Sequence, residues 1–490
     1  MGYEPEPAER PYTPTPPEEL LTRAKRRSAA TRRRRLLTSS TSVTLVVAAV
    51  LIGVLVPGGS APGRHSYTGP PFPGPVRVAA RIGSAYELTA DNWRSRIATP
   101  KLARALQDDE IGYSINLLQT LAGSAGSGNV LVSPSSLATA LAMLELGARG
   151  STEQGIAAAL DSTGLSPTDQ AAGWHALAAI LAAETSTGAA SLKEEPELDI
   201  ANGLFLQKQF SVLPSFVGAL TSEFQTGLWR VDFAHDLPGA TDAINQWTSE
   251  HTMGLIKQLF SPGALTTATV LVLADAVYFH ADWAQSFESS TRGEPFYPST
   301  GAVENVPFMR SSPVDSKHAL TVPVSVTSGY DAVELPYAGR KLSALAVMPV
   351  GSSLAQFVSS LTPAGLSKIV SGLNTRAVEL SMPTFKLRAD DQLKETLSTM
   401  GMSQAFGSGA DFTNITAQPP LQVASVEQRA YLQVTPKGTT AAAATGVNVI
   451  MSATAGGDRP VVLNHPFLFL IRDNTTGAIL FESMVENPAS

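Results

Sequence analysis

Between Lys437 and Asp458 the chain runs through twenty residues, GTTAAAATGVNVIMSATAGG, without a charge or a proline. Few folds accommodate such a window. It is too polar to cross a membrane, and it is far longer than an ordinary strand of about 5–6 residues. It also alternates. Thr439, Ala441, Ala443, Thr445, Val447, Val449 and Met451 share one face, which grows more apolar along the chain. Thr440, Ala442, Ala444, Gly446, Asn448, Ile450 and Ser452 share the other, which stays mostly small or polar. A buried strand or a small-residue linker is the plain alternative. Length, alternation and polarity together favour a segment able to become a long strand but without the bulk, at its start, to be held anywhere. Uncharged windows of this kind are ordinarily an aggregation hazard.

The rest of the chain has the material for a large core. It is 490 residues long, 43% hydrophobic and 16% charged, enough for two to four small domains or one large one with appendages. There is no cysteine, which excludes disulfides, cysteine metal sites and a thiol nucleophile. The net charge of −7 is uneven: residues 1–60 hold 9 Lys+Arg against 5 Asp+Glu, and the remainder is acidic. An acidic body argues against nucleic acid as a partner.

The front end reads separately. Residues 1–22 are rich in Pro and Glu, and eight basic residues follow between Arg23 and Arg35. Such a tail, 1–35, cannot bury a face and is expected to be disordered. Residues 36–56 are an uncharged run of 21, apolar from Leu45 onward, long enough for one membrane span at 1.5 Å per residue. The expectation is an uncleaved transmembrane signal-anchor, with a cleaved secretory signal or a buried core helix as alternatives. The basic cluster before the span puts residues 1–35 in the cytoplasm. The body then lies outside the cell membrane on a single pass, or is secreted if the signal is cleaved. Residues 57–105 begin with dense Pro and Gly up to Pro75 and are read as a linker, with 76–105 alternatively an early helix, and 106–490 as the folded body.

In that body, helical spacing covers Ile111–Leu121. Ser133 is expected to cap a helix with Pro134 in its first turn, and helices also cover 150–160, 174–183, 213–224, 241–253 and 391–400. Strands are expected at 198–206, at 268–279 as an apolar run buried on both faces, as a pair around Gly339-Arg340-Lys341, at 378–387, at 421–434, and as two within 466–485. Helices early and strands late indicate a mixed α+β fold with large sheets.

Catalytic signatures are missing. The sequence has no Gly-x-Ser-x-Gly elbow, phosphate loop, dinucleotide fingerprint or His-Glu-x-x-His, and its seven histidines are scattered with no pair at ligand spacing. No enzyme activity, cofactor or metal is therefore expected.

An ordered series of motifs is more informative. The run from Asn129 through Ser133-Pro134-Ser135-Ser136 leads into LATALAMLELGARGST; DIANGLFLQK spans 199–208; and Asn245, Trp247, Thr252, Gly254 and Ile256 fit N-x-W-x-x-x-x-T-x-G-x-I. LADAVYFHADW (273–283), ELPY (334–337), MPTFKL (382–387), ADF (410–412) and HPFLFLIRDNTTGAILF (465–481) follow. Over residues 108–488 the chain resembles the serpins, the serine protease inhibitor family.

That resemblance implies a large central mixed β-sheet, two further sheets, about eight or nine helices and an exposed reactive loop over 439–461. A serine protease attacks the loop and becomes acylated. The cut loop then enters the central sheet as an added strand, dragging and deforming the protease. The resemblance assigns the hinge to Gly438, Thr439, Thr440, Ala441, Ala442, Ala443, Ala444 and Thr445, the shutter to Ser133, Ser136, Asp275 and Gln428, and the breach to Trp247. Counting from Gly438 puts the reactive bond at Ser452–Ala453, with Met451 and Thr454 as neighbouring alternatives. No Lys or Arg lies between Lys437 and Arg459, so elastase-like, subtilisin-like or chymotrypsin-like proteases are the expected partners, and trypsin is not. Three departures from the family pattern stand out: Pro436 in place of the usual Glu, Gln428 in place of the shutter His, and Asp275 in place of an Asn. The alternative is a non-inhibitory serpin acting as a membrane-displayed binding or chaperone module.

Overall fold

The computed structural model describes residues 76–90, 100–185, 197–252, 254, 256–289, 293–312, 319–418, 421–439 and 459–489. The expected tail, signal-anchor and most of the reactive loop lie outside these residues. Among them, no helix is long and apolar enough to cross a membrane.

One eight-stranded mixed sheet organises the fold. Its strands, numbered in chain order, are β1 (Val76–Ile82), β2 (Ala85–Ala90), β3 (Glu197–Gln207), β4 (Leu228–Val231), β5 (Leu271–Asp282), β6 (Phe385–Gln392), β7 (Ser425–Val434) and β8 (Gly438–Thr439). They lie in the order β1-β2-β4-β3-β5-β8-β7-β6. A seven-stranded sheet is built largely from Leu320–Val326, Tyr330–Pro336, Leu342–Pro349, Phe467–Asp473 and Ile479–Val485. A four-stranded sheet carries Val461–Val462 and Leu380–Pro383, and a two-stranded hairpin completes the set. Nine α-helices lie among the described residues. The first six are α1 (Pro100–Ala125), α2 (Pro134–Glu145), α3 (Gly150–Ala159), α4 (Pro167–Thr185), α5 (Pro214–Phe224) and α6 (Leu237–His251).

Helix α2 explains why the two large sheets face one core. Its residues are buried on every side except at Thr139, in keeping with apolar residues that are not confined to one face. It touches β3, β5 and Ile479–Val485. Strand β5 is buried on both faces as expected. Its odd-numbered members Leu271, Leu273, Val277, Phe279 and Ala281 enter the main core, and Val272 and Ala274 enter a second cluster with Ala243, Ile244 and Trp247 of α6.

Four expectations are corrected. Residues 57–105 are not all linker: the proline density stops at Pro75, and Val76–Ala90 folds as a hairpin around Gly83 that adds β1 and β2 to the edge of the central sheet. Ile82 and Ala85 bury against Trp229 and Ala243, and the Glu87 carboxylate accepts from the Gly227 N–H at 2.8 Å. The strand expected over 378–387 is split three ways, with Asn374–Val378, Leu380–Pro383 and Phe385–Gln392 each joining a different sheet. The helix expected over 391–400 starts only at Lys394, because β6 continues to Gln392. Ser133 stands at the N-cap of α2, but its hydroxyl does not cap it; it donates to the Leu480 carbonyl at 2.6 Å.

Candidate functional site

The site lies along the seam between β5 and β7. Over six residues these strands pair directly and in parallel, from Ser425 opposite Val272 to Ala430 opposite Val277. Above that they part, and β8 fills the gap. Thr439 pairs with Ala281 on one side and Val434 on the other, and Gly438 pairs with Asp282.

The chain reaches this gap through a tight turn, Thr435-Pro436-Lys437-Gly438. The Gly438 N–H donates to the Thr435 carbonyl at 3.2 Å, and the Thr435 N–H to the Gly438 carbonyl at 2.9 Å. Proline is favoured at the second position of such a turn and glycine at the fourth. Pro436 therefore removes no ladder donor here, and its carbonyl accepts from the Phe287 N–H at 2.7 Å. Gly438 has no space for a side chain: a Cβ there would sit 2.1 Å from the Ala281 oxygen and 2.6 Å from the Asp282 Cα.

At the mouth of the gap, Thr439 is fully buried, and its hydroxyl shares a 2.7 Å hydrogen bond with the Tyr337 hydroxyl. Burial holds the Tyr337 phenol well above its ordinary range, so it stays protonated. Tyr337 stacks on Trp283, with ring centroids 4.6 Å apart, and meets Phe279 edge-on. Trp283 in turn donates from Nε1 to the Thr435 carbonyl at 2.9 Å and from its backbone N–H to the Lys437 carbonyl at 2.8 Å. Trp283 and Tyr337 thus line the mouth of the gap. Trp247, assigned to the breach from the sequence, stands on α6 in the second cluster, edge-on to Phe205. The two residues that form the mouth lie in the motifs at 273–283 and 334–337, but nothing in either motif signals that they meet.

The four shutter residues do come together, at the closed part of the seam. Gln428 and Asp275 are register partners. The Gln428 Nε2 donates to Asp275 Oδ2 at 2.5 Å and to the Ser133 carbonyl at 3.0 Å, and its Oε1 accepts from the Ser133 N–H at 2.8 Å. The Ser136 hydroxyl donates to Asp275 Oδ1 at 2.5 Å. Asn202, which sequence reasoning did not single out, donates to the Ser136 carbonyl at 3.2 Å. The two departures compensate each other: an amide that donates faces a carboxyl that accepts. Burial pushes the Asp275 carboxyl up to about 7, against the pull of these two hydrogen bonds. Burial, with the charges of Glu482, Asp275 and Glu110, holds the nearby Tyr113 phenol well above its ordinary range.

Thr440 to Thr445 and the bonds around Ser452–Ala453, with Met451 and Thr454, lie outside the described residues. Among those described, no group of three His, Asp or Glu side chains could hold a metal ion. A cleft lined by Trp283, Phe287, Leu335 and Arg340 among others has room for about one water, roughly 10 Å³.

The fold and seam define a class: α+β proteins whose central sheet is parted at one end by the first residues of the chain's own loop. The profile of the family "Serpin (serine protease inhibitor)" matches residues 110–488, and the chain belongs to that family, one of inhibitors of serine proteases. It is 33% identical to human Serpin B4 over 376 residues, covering 74% of this chain and 94% of that one. It is 32% identical over 383 residues to the leukocyte elastase inhibitor of Xenopus tropicalis, covering 77% and 97%. Among solved structures, thyroxine-binding globulin in complex with thyroxine superposes with a TM-score of 0.68 at 24% identity, covering 78% of this chain and 99% of that one; that likeness is one of fold.

Proposed function

We propose that this protein is a suicide-substrate inhibitor of serine proteases that traps its target by inserting the cleaved loop between β5 and β7. One observation carries the reading: Thr439 already sits between Ala281 and Val434. Those two residues are also the pair that the parallel register of the closed seam would bring together if it continued upward. The seam therefore needs to widen, not slide, for the loop to follow its hinge. Carrying the register forward assigns Thr440 opposite His280, Ala443 opposite Val277, and Thr445 between Asp275 and Gln428. A threonine hydroxyl both donates and accepts, so Thr445 suits the place where the direct Gln428–Asp275 bond must part. Small residues from Ala441 to Ala444 fill the stretch between with little steric resistance.

The reaction begins when the protease serine attacks the carbonyl of Ser452 and the amine of Ala453 leaves as a new N-terminus. About 14 residues then enter the sheet, carrying the acylated protease about 45 Å. At about 0.5–1.5 kcal/mol per new hydrogen bond, the driving force is on the order of ten kcal/mol or more. Met451, Ser452 and Thr454 suit a shallow or apolar primary pocket, and the relative named for leukocyte elastase agrees with that choice. Residues 36–56 hold this body outside the membrane. Incubation with an elastase-like protease tests the reading. It should give a complex that survives SDS and a released fragment beginning at Ala453. Complete cleavage with no complex would favour a non-inhibitory serpin.

A further inference from the structure

The far end of the loop is fixed by a contact that insertion does not use. Asp331, in the strand Tyr330–Pro336, is completely buried, and a buried carboxylate needs a partner. That partner is Arg459. Its Nη2 donates to both carboxylate oxygens, at 2.5 Å to Oδ1 and 2.7 Å to Oδ2, although the Arg459 side chain is 58% exposed. Pro460 follows and restricts the backbone. The Val461 N–H then donates to the Glu379 carbonyl at 2.9 Å, and Val461 pairs in parallel with Leu380.

We propose that Arg459 is a positioning residue for protease capture: clamped on Asp331, it sets the direction in which the distal arm of the reactive loop leaves the body. The proposal rests on the loop being the protease's bait. The described residues on either side of 440–458 are both anchored, Thr439 in the sheet and Arg459 on Asp331. Releasing the second anchor adds only Arg459 and Pro460 to the free length, a negligible change in loop closure. What is lost is orientation, because the freed arm must be ordered again when a protease docks. Cleavage severs the clamp from the part of the loop that inserts. The clamp therefore acts on the encounter and not on the later partition between trapping and release. The same contact keeps the first basic residue after the bait engaged, and Pro460 directly after it makes Arg459 a poor site for trypsin-like cleavage.

The test compares the full chain with Arg459→Gln, Arg459→Lys and the double variant Arg459→Gln/Asp331→Asn. The double variant removes the buried charge that Arg459→Gln alone would strand, so it separates orientation from destabilisation. Three quantities are measured against an elastase-like protease: the rate constant for loop cleavage under single-turnover conditions, the stoichiometry of inhibition, and the melting temperature. The cleavage rate should fall about three- to tenfold in Arg459→Gln and in the double variant, and recover in part in Arg459→Lys. Stoichiometry should stay unchanged. A double variant that is cut as fast as the parent, or a loss that appears as raised stoichiometry, would overturn the clamp. A parent that is cut but never trapped would remove the inhibitory reading and leave the effect on cleavage rate standing.

Discussion

The hydroxyls of Thr439 and Tyr337 lie 2.7 Å apart with no water access to either residue. Thr439 is thus held in the sheet by a side chain from a different part of the chain, in the place where the proposed insertion would begin. The contact should matter in two ways. Tyr337→Phe leaves the Thr439 hydroxyl buried with no phenol partner, at a cost of about 1–3 kcal/mol. Thr439→Arg puts a guanidinium into a site closed to solvent. The first variant should melt lower but still trap proteases; the second should be cut as a substrate and released. Equal yields of covalent complex from Thr439→Arg and the parent, read on a denaturing gel, would refute the insertion mechanism.

Gly438→Ala addresses the same gap from the backbone. The added methyl meets the Ala281 carbonyl and the Asp282 Cα, neither of which is a flexible side-chain tip. The hinge should be expelled from the seam, and amide exchange at Thr439 and Ala281 should rise while exchange at Ala274 does not. Unchanged protection at Thr439 would mean that the seam tolerates a wider opening than its geometry allows.

Asp275 predicts a pH dependence. Its carboxyl is pushed up to about 7 by burial, against about 3.9 in an unfolded chain. The folded state therefore binds the extra proton between these values. Its stabilising effect is fully present below about pH 4 and is lost as pH rises through about 7. Asp275→Asn keeps an acceptor for Gln428 and is neutral throughout. It should match the parent near pH 4 and be more stable above pH 8, by a few kcal/mol at the order-of-magnitude level. Glu110 and Glu145, both raised to about 8, act in the same direction in parent and variant, so the difference between the two chains isolates Asp275. Parallel melting curves across pH 4–8 would show that its proton is not linked to folding.

How much of this is legible in the sequence depends on whether the information is local. The segment from Gly438 onward is readable as a potential strand because a long uncharged alternating window is rare, and its assignment as a hinge comes from the resemblance; of those hinge residues only Gly438 and Thr439 are among the described residues. The four residues that the resemblance assigns to the shutter, Ser133, Ser136, Asp275 and Gln428, are brought together by the structure. The mouth of the gap is not readable in this way. Trp283 and Tyr337 sit in unremarkable motifs and acquire a role only by stacking across the fold, so Trp247 draws attention instead. The hairpin at 76–90 escapes notice because the proline-rich stretch just before it dominates the local composition. The Arg459–Asp331 contact joins positions 128 residues apart and has no local signature.

The membrane anchor is a separate expectation. If residues 36–56 hold the chain with its body outside, protease added to intact cells should release a fragment containing residues 110–488. A body protected from that protease, or a mature chain beginning after residue 56, would contradict it.

The central claim is that the cut loop enters the seam in the register begun by Thr439, and the absence of cysteine from this chain allows a direct measurement. In that register Ala442 comes to lie beside Tyr431 on β7. Cysteines at these two positions should cross-link after the loop is cut at Ser452–Ala453 and not before, while the control pair at 443 and 431, one residue out of register, should not cross-link in either state. Cross-linking that is independent of cleavage, or that favours the shifted pair, would contradict insertion in this register.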